Sequence, residues 1–234
     1  MERKNKLDTE VVLSEGTESK QRTYDKLFWL FIAGSILGVI IEGVFCQIAK
    51  GHWESHVVSV YGSFNILYGA AAVLFYVAAD KLDCKPKVEK FLVFSVVATI
   101  LELLCGLLLK DVLGMRAWSY DGSFMNYQGI ICLGFSIMWG LAGTAFCKLC
   151  PKIDVLLERL KGKKWHIACV AMSVFMAVNF IMTAASIYRW SERHYGLEAK
   201  TKFEEYLDER APDNWMQARF VEWEFLTDID FQLK

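Results

Sequence analysis

The chain lacks most of the patterns that mark soluble catalysts and nucleic-acid readers. Its formal net charge is −1 over 234 residues, so it has no basic excess to attract a phosphate backbone, and no nucleic-acid partner is expected. It has no GxxxxGK[ST] phosphate loop, and so no such cradle for a nucleotide of its own. No GxSxG or Ser-x-x-Lys pattern occurs. That absence does not exclude a membrane enzyme, because catalytic groups converge in space and not along the chain. Ten-residue alternating segments, the mark of a membrane barrel, are missing.

The seven cysteines do not form a disulfide framework. Cys46, Cys105, Cys132 and Cys169 fall inside apolar segments, and Cys84 falls in a polar loop. Cys147 and Cys150 form a CxxC with no second copy, and are read as small apolar residues at a helix end. His52, Glu54 and His56 would share a face if their loop were helical. They are not an HExxH, and no further ligand is evident beside them. No metal site and no cofactor are therefore expected.

What the chain has in quantity is apolar length. Hydrophobic residues make up 54%, with 16 Phe and 8 Trp. They gather in five blocks, Leu27–Ala49, Gly62–Ala79, Phe91–Leu109, Tyr127–Cys147 and Trp165–Tyr188. A bilayer crossing needs about 20 such residues. Backbone groups in lipid must pair internally, so each block is expected to be helical. Lysine and arginine cluster before the first block, after the second (Lys81, Lys85, Lys87, Lys90) and after the fourth (Lys148–Lys164), while the alternate loops hold few. Positive residues mark the cytoplasmic side, so the N-terminus is expected inside and the C-terminus outside.

Two glutamates interrupt these blocks. Glu42 and Glu102 lie 60 positions apart, and the same shift superposes Ser35 on Ser95, Gly62-Ser-Phe on Gly122-Ser-Phe and Gly69 on Gly129. The pattern points to a duplicated two-helix unit, about 27–79 and 91–147, with both copies entering from the same side. A carboxylate in hydrocarbon is costly and marks either a tie between helices or an ion or substrate site. Gly34, Gly38 and Glu42 share one stripe, and Gly129, Ser136 and Gly140 another, where small residues let helices approach closely. Arg116 is placed to neutralise Glu102. Trp118 and Tyr120 sit at the outer boundary, and Asn126 is placed either to cap a helix or to hold a ligand. Asn179 and Thr183 read as interhelical hydrogen-bonding groups on the fifth block.

Three regions follow from this pattern: a polar, disordered tail over 1–26, a transmembrane domain over 27–190 and an acidic amphipathic tail over 191–234. The last is expected to form helices over Leu197–Arg210 and from Asp213 to about Phe225, with Pro212 between them. Trp190, Trp215 and Trp223 are expected at the outer headgroup level.

The stretch from Arg116 through Gly140 resembles a bacterial membrane family labelled ABC-transporter type IV permeases. Arg116, Trp118 and Tyr120 fit its Arg-x-Trp-x-Tyr-Ser pattern, with Asp121 in place of the serine, Asn126 and Gly129 its Asn-x-x-Gly, and Ser136, Trp139 and Gly140 its Ser-x-x-Trp-Gly. Gly62-Ser-Phe-Asn-Ile-Leu-Tyr-Gly69 is similar to the family's Gly-Pro-x-x-Pro-Ile-Tyr-Gly without the two prolines. Arg189, Glu192, Arg193, Leu207, Asp208, Pro212 and Asp213 echo its outer segment. The resemblance covers about 27–225. It implies a permease served by a separate ATPase subunit, which would dock on Lys148–Lys164. Five crossings are few for a solitary carrier, so a homo-oligomer or a partner is also expected.

The reading is thus an all-α polytopic protein of the cell membrane with five crossings. Its leading function is permease-like movement of a small polar solute or ion, with Glu42, Glu102, Arg116, Trp118, Tyr120 and Asn126 as candidate binding residues. A non-transporting scaffold or regulatory subunit stays open. So does an enzyme acting on lipid or surface polymer at the outer face through Glu102, Arg116 and Asn126.

Overall fold

A computed structural model describes the backbone of residues 2–226 and the side chains of residues 23–226. The tail expected over 1–26 falls mostly outside the described side chains, as do the acidic residues Asp228 and Asp230. The described residues are mostly helical and form eight helices. They are α1 (Glu2–Lys50), α2 (Ile66–Lys81), α3 (Lys87–Leu107), α4 (Leu133–Cys147), α5 (Cys150–Glu158), α6 (Lys163–His194), α7 (Lys202–Arg210) and α8 (Asp213–Arg219). A π-helical turn, Leu108–Val112, extends α3, and two short strands, β1 (Met115–Arg116) and β2 (Glu224–Phe225), pair antiparallel.

Three helical segments, Thr23–Lys50, Lys87–Val112 and Lys163–His194, are long and apolar enough to cross a membrane, and no more than 33% of the most apolar stretch of each is buried. Their outward faces are aliphatic. On α3 and its extension Val88, Leu92, Val96, Ile100, Leu104 and Leu108 recur every fourth residue, each more than half exposed. An unbroken aliphatic stripe of this kind is untenable in water and natural in lipid.

The second and fourth blocks differ from expectation. The polypeptide does not become helical at Gly62 but at Ile66, where the Asn65 side chain caps α2 by accepting from the Leu67 and Tyr68 amides. The resulting 16 residues extend about 24 Å, less than the ~30 Å hydrocarbon thickness. The fourth block likewise starts late, at Leu133. It meets α5 at a bend of 54°, and the bent pair counts as a fourth candidate crossing only if taken together.

Each short helix packs along a long one, α2 on α1 and α4 on α3, with α2 also touching α4. Glycines make this possible. A Cβ on Gly69 would collide with Ser35 Oγ and stand 2.8 Å from the Phe31 ring. A Cβ on Gly140 would collide with Ser95 Oγ and stand 2.7 Å from the Phe91 ring. Gly34 admits Ala72, and Gly143 admits Phe94, in the same close manner. Gly129 takes no part in this stripe. It lies in the loop before α4 at φ +68° and faces Asp121.

The C-terminal segment closes one end of the bundle. Its first helix is shorter than expected because Thr201 and Glu204 form a capping box that starts α7 at Lys202. The second ends at Arg219, and the chain beyond it pairs with β1. Trp190 and Trp223 are buried within the protein: they pack with Leu109, Leu113, Met115, Ile187, Met216 and Phe220 in one core. Arg189, also buried, anchors the segment through a two-pronged bond to Asp208 at 2.9 Å and further bonds to Glu192 and the Leu197 carbonyl. Asn179 and Thr183 do not bridge helices. They hold the Val60 and Tyr61 backbone against α6.

Two outcomes follow. Replacing Gly140 by Ala destabilises the protein by about 2 kcal/mol through overpacking, measured by unfolding in detergent, whereas Gly134→Ala, with nothing within 4 Å of its new Cβ, is neutral. The Arg189 and Arg193 guanidiniums hold the Asp208 carboxyl below the usual carboxylate range. Its contribution is therefore complete above the unfolded-state value of about 3.9 and is lost as pH falls through the lower folded value. Tryptophan fluorescence of the closing segment should stay constant from neutral pH down to about 4 and change only below it.

Candidate functional site

The two glutamates sit on the long helices and turn toward protein. Glu42 follows Gly38 by one helical turn on the same face of α1. A Cβ on Gly38 would overlap the Tyr68 ring, so the glycine is what lets Tyr68 of α2 lie across α1. From there the Tyr68 hydroxyl donates to Glu42 Oε1. Glu42 Oε2 lies 4.0 Å from His56 Nδ1 on the loop that follows α1.

Glu102 is more deeply enclosed, at 6% exposure. Tyr120, from the loop after β1, donates its hydroxyl to Glu102 Oε1 at 3.0 Å and stacks its ring on Phe135 of α4. Burial, reinforced by the neighbouring carboxylate, pushes the Tyr120 phenol well above its ordinary range, so it remains a proton donor. The Trp139 indole of α4 also lies against Glu102, and its Nε1 and Glu102 Oε2 are both buried. Tyr68 packs edge-on to Trp139 at 6.2 Å. A continuous line of groups thus runs from Glu42 through Tyr68 and Trp139 to Glu102.

Other expected site residues serve the closing layer. Arg116 does not neutralise Glu102. Its Nε and Nη2 donate to Glu224 at 3.1 and 2.8 Å and its Nη1 to Asp121 at 3.3 Å, because β1–β2 pairing brings Glu224 directly opposite. Trp118 donates to the Ile130 carbonyl at 2.9 Å and packs against the closing core. Asn126 is a turn residue: its side-chain amide donates to the Ser123 carbonyl and accepts from the Gly129 N–H. The cap position of α4 belongs to Cys132, so Asn126 is no helix cap. Ser136 ties α4 to α3 by accepting from Thr99 at 2.7 Å. His52, Glu54 and His56 lie in an irregular loop. There Lys50 holds the Glu54 carboxyl down to about 2, and Glu222 raises His56.

As site residues, Tyr68, Trp139, Cys46 and Glu222 were missed by sequence reasoning. The first two stand before the glycines of the Tyr-Gly and Trp-Gly pairs, and this is the available signal. For Cys46 and Glu222 no local signal exists.

Apolar outer faces, three or four helices long enough to span, and acids shielded between helices define an integral membrane protein. Within that class the chain belongs to the family described as "Putative ABC-transporter type IV", whose model matches residues 29–184. No curated protein and no solved structure matches the chain.

The Tyr120–Glu102 bond makes a specific prediction. Tyr120→Phe should cost about 1–2 kcal/mol by stranding a buried carboxyl. The double change Tyr120→Phe/Glu102→Leu should cost less than the two single changes added together. Detergent unfolding of the four-member cycle measures the coupling, and strict additivity would show that the pair does not interact.

Proposed function

We propose that this chain is a multi-pass cell-membrane permease component that moves a small polar solute or ion along the line Glu42–Tyr68–Trp139–Glu102. The observation that carries the reading is Glu102, a carboxyl buried within a membrane-length helix, with the Tyr120 hydroxyl on one oxygen and the Trp139 indole beside it. An intramembrane acid enclosed among polar side chains is suited to a proton, a cation or a polar substrate group.

The same reading includes five passages of the chain from end to end, with α2 and α4 as the short ones and the C-terminal segment outside. Support comes from charge: Lys81, Lys85, Lys87 and Lys90, and the Lys148–Lys164 segment, belong to the end opposite the closing core. It also includes a duplicated two-helix unit. Support comes from the pairs Ser35–Gly69 and Ser95–Gly140, and Gly34–Ala72 and Phe94–Gly143. The long helices correspond at a shift of 60 and the short ones at 71, so the loop of the second copy is longer by the difference. A separate ATPase subunit, if one energises transport, would meet the basic segment around α5, since the chain has no phosphate loop of its own.

Reconstituted vesicles test the role. With the protein inserted in one orientation, Glu102→Gln should reduce flux of the transported cation or solute at least tenfold and Glu42→Gln less, because Glu42 is partly exposed whereas Glu102 is buried. Flux unchanged in both variants, with folding intact, rejects the assignment.

A further inference from the structure

Outside the line of glutamates, the outer end of α1 gathers four metal-binding side chains from three separate parts of the chain. Cys46 comes from α1, Glu54 and His56 from the following loop and Glu222 from the closing segment, and one ligand atom from each lies within 4.8 Å of every other. Cys46 is almost completely buried at 1% exposure. Its Sγ lies 3.2 Å from His56 Nε2 and 3.5 Å from Glu54 Oε2, and the last two are 3.8 Å apart. Zinc bonds of about 2.3 Å to sulfur and 2.0–2.2 Å to nitrogen or oxygen put tetrahedral ligand atoms roughly 3.3–3.6 Å apart. All three separations fall within about 0.4 Å of that edge length.

The fourth residue completes the arrangement from behind. Glu222 Oε2 is 2.7 Å from His56 Nδ1. A ring that donates from Nδ1 to a carboxylate directs the lone pair of Nε2 toward Cys46 and Glu54. Zinc-bound histidines are oriented by a carboxylate in this way. His52 Nε2 meets the other oxygen of Glu54 at 2.7 Å and steadies that carboxylate.

We infer that Cys46 Sγ, Glu54 Oε2 and His56 Nε2 form a three-ligand site for a thiophilic divalent cation of the zinc type, oriented by Glu222 and leaving a fourth position for water or a further ligand. Sulfur and imidazole donors select zinc-like ions over magnesium and calcium. Binding displaces the thiol proton of Cys46 and any proton on His56 Nε2 to solvent. It also displaces Lys50, whose ammonium stands 2.6 Å from Glu54 Oε2 and 3.5 Å from Glu222 Oε1. That side chain is 46% exposed and free to swing away. Occupancy would clamp α1, the loop and the closing segment together. The inference does not depend on transport.

The test uses the full chain, purified in detergent under reducing conditions and stripped with chelator. Zinc is the probe, with Cys147→Ser/Cys150→Ser as the background that removes the other cysteine pair. One zinc per chain should bind, magnesium should not compete, and zinc should raise the melting temperature. Cobalt in its place should give a thiolate-to-metal charge-transfer band. Cys46→Ser should abolish the band and the thermal shift. Glu222→Gln should weaken zinc about 10–100-fold, and Lys50→Ala should tighten it by removing the competing charge. Should a variant fail to fold, X-ray absorption of the zinc-loaded parent decides, with one sulfur and one imidazole required. Absence of stoichiometric zinc, zinc binding that survives Cys46→Ser, or a cobalt spectrum without the thiolate band would overturn the site.

Discussion

Close approach of helices through glycine is the constraint on which the remainder of the molecule depends. Lipid supplies no hydrophobic drive between apolar helices, so association rests on packing and on hydrogen bonds. Gly69 and Gly140 remove the one atom that would collide with Ser35 and Ser95. With the pairs this close, Tyr68 crosses α1 beside Gly38 and meets Glu42, while Trp139 is carried to Glu102. Were the helices spaced by ordinary side chains, Glu42 would lose Tyr68 and Glu102 would lose Trp139, and membranes penalise acids exposed to hydrocarbon heavily.

The closing layer solves a second problem. Loops at the end of a membrane bundle carry backbone groups that helices cannot satisfy. Here Asn179 and Thr183 pair the Val60–Tyr61 backbone, Ser191 donates to the Leu113 carbonyl, and Arg219 donates to the carbonyls of Ser59 and Gly62. Around Arg189 the same logic operates with charge. A buried guanidinium is tolerable because Asp208, Glu192 and a carbonyl surround it. The result is a folded cap joined to one end of α1, α3 and α6, and Tyr120 reaches Glu102 because this cap holds its loop.

Much of this was legible from residue order, and the misses have physical causes. The long apolar helices follow from run length, and Glu42 and Glu102 stand out because a charge in such a run is rare. The starts of α2 and α4 do not follow, because hydropathy cannot separate an apolar loop from an apolar helix; the Asn65 cap decides the first. Arg116 was expected at Glu102 because it follows the same apolar block in the chain, but β1–β2 pairing presents Glu224 across 108 positions. Trp190 and Trp223 match a headgroup pattern equally well whether they face lipid or a folded cap, and only packing distinguishes the two. Asn179 carries the same ambiguity, since an amide inside an apolar helix reads alike whether it bonds a helix or a loop.

By itself the order of residues determined the solvent of this protein, the helical form of its long segments and the presence of two acids within them, because these depend on composition over short windows and on the cost of unpaired backbone in hydrocarbon. Tertiary structure alone decided which groups meet: Tyr68 with Glu42, Tyr120 with Glu102, and Cys46 with His56 and Glu222. Such encounters are set by how closely helices pack and where loops return, and chain separations of up to 176 positions leave no local trace of either.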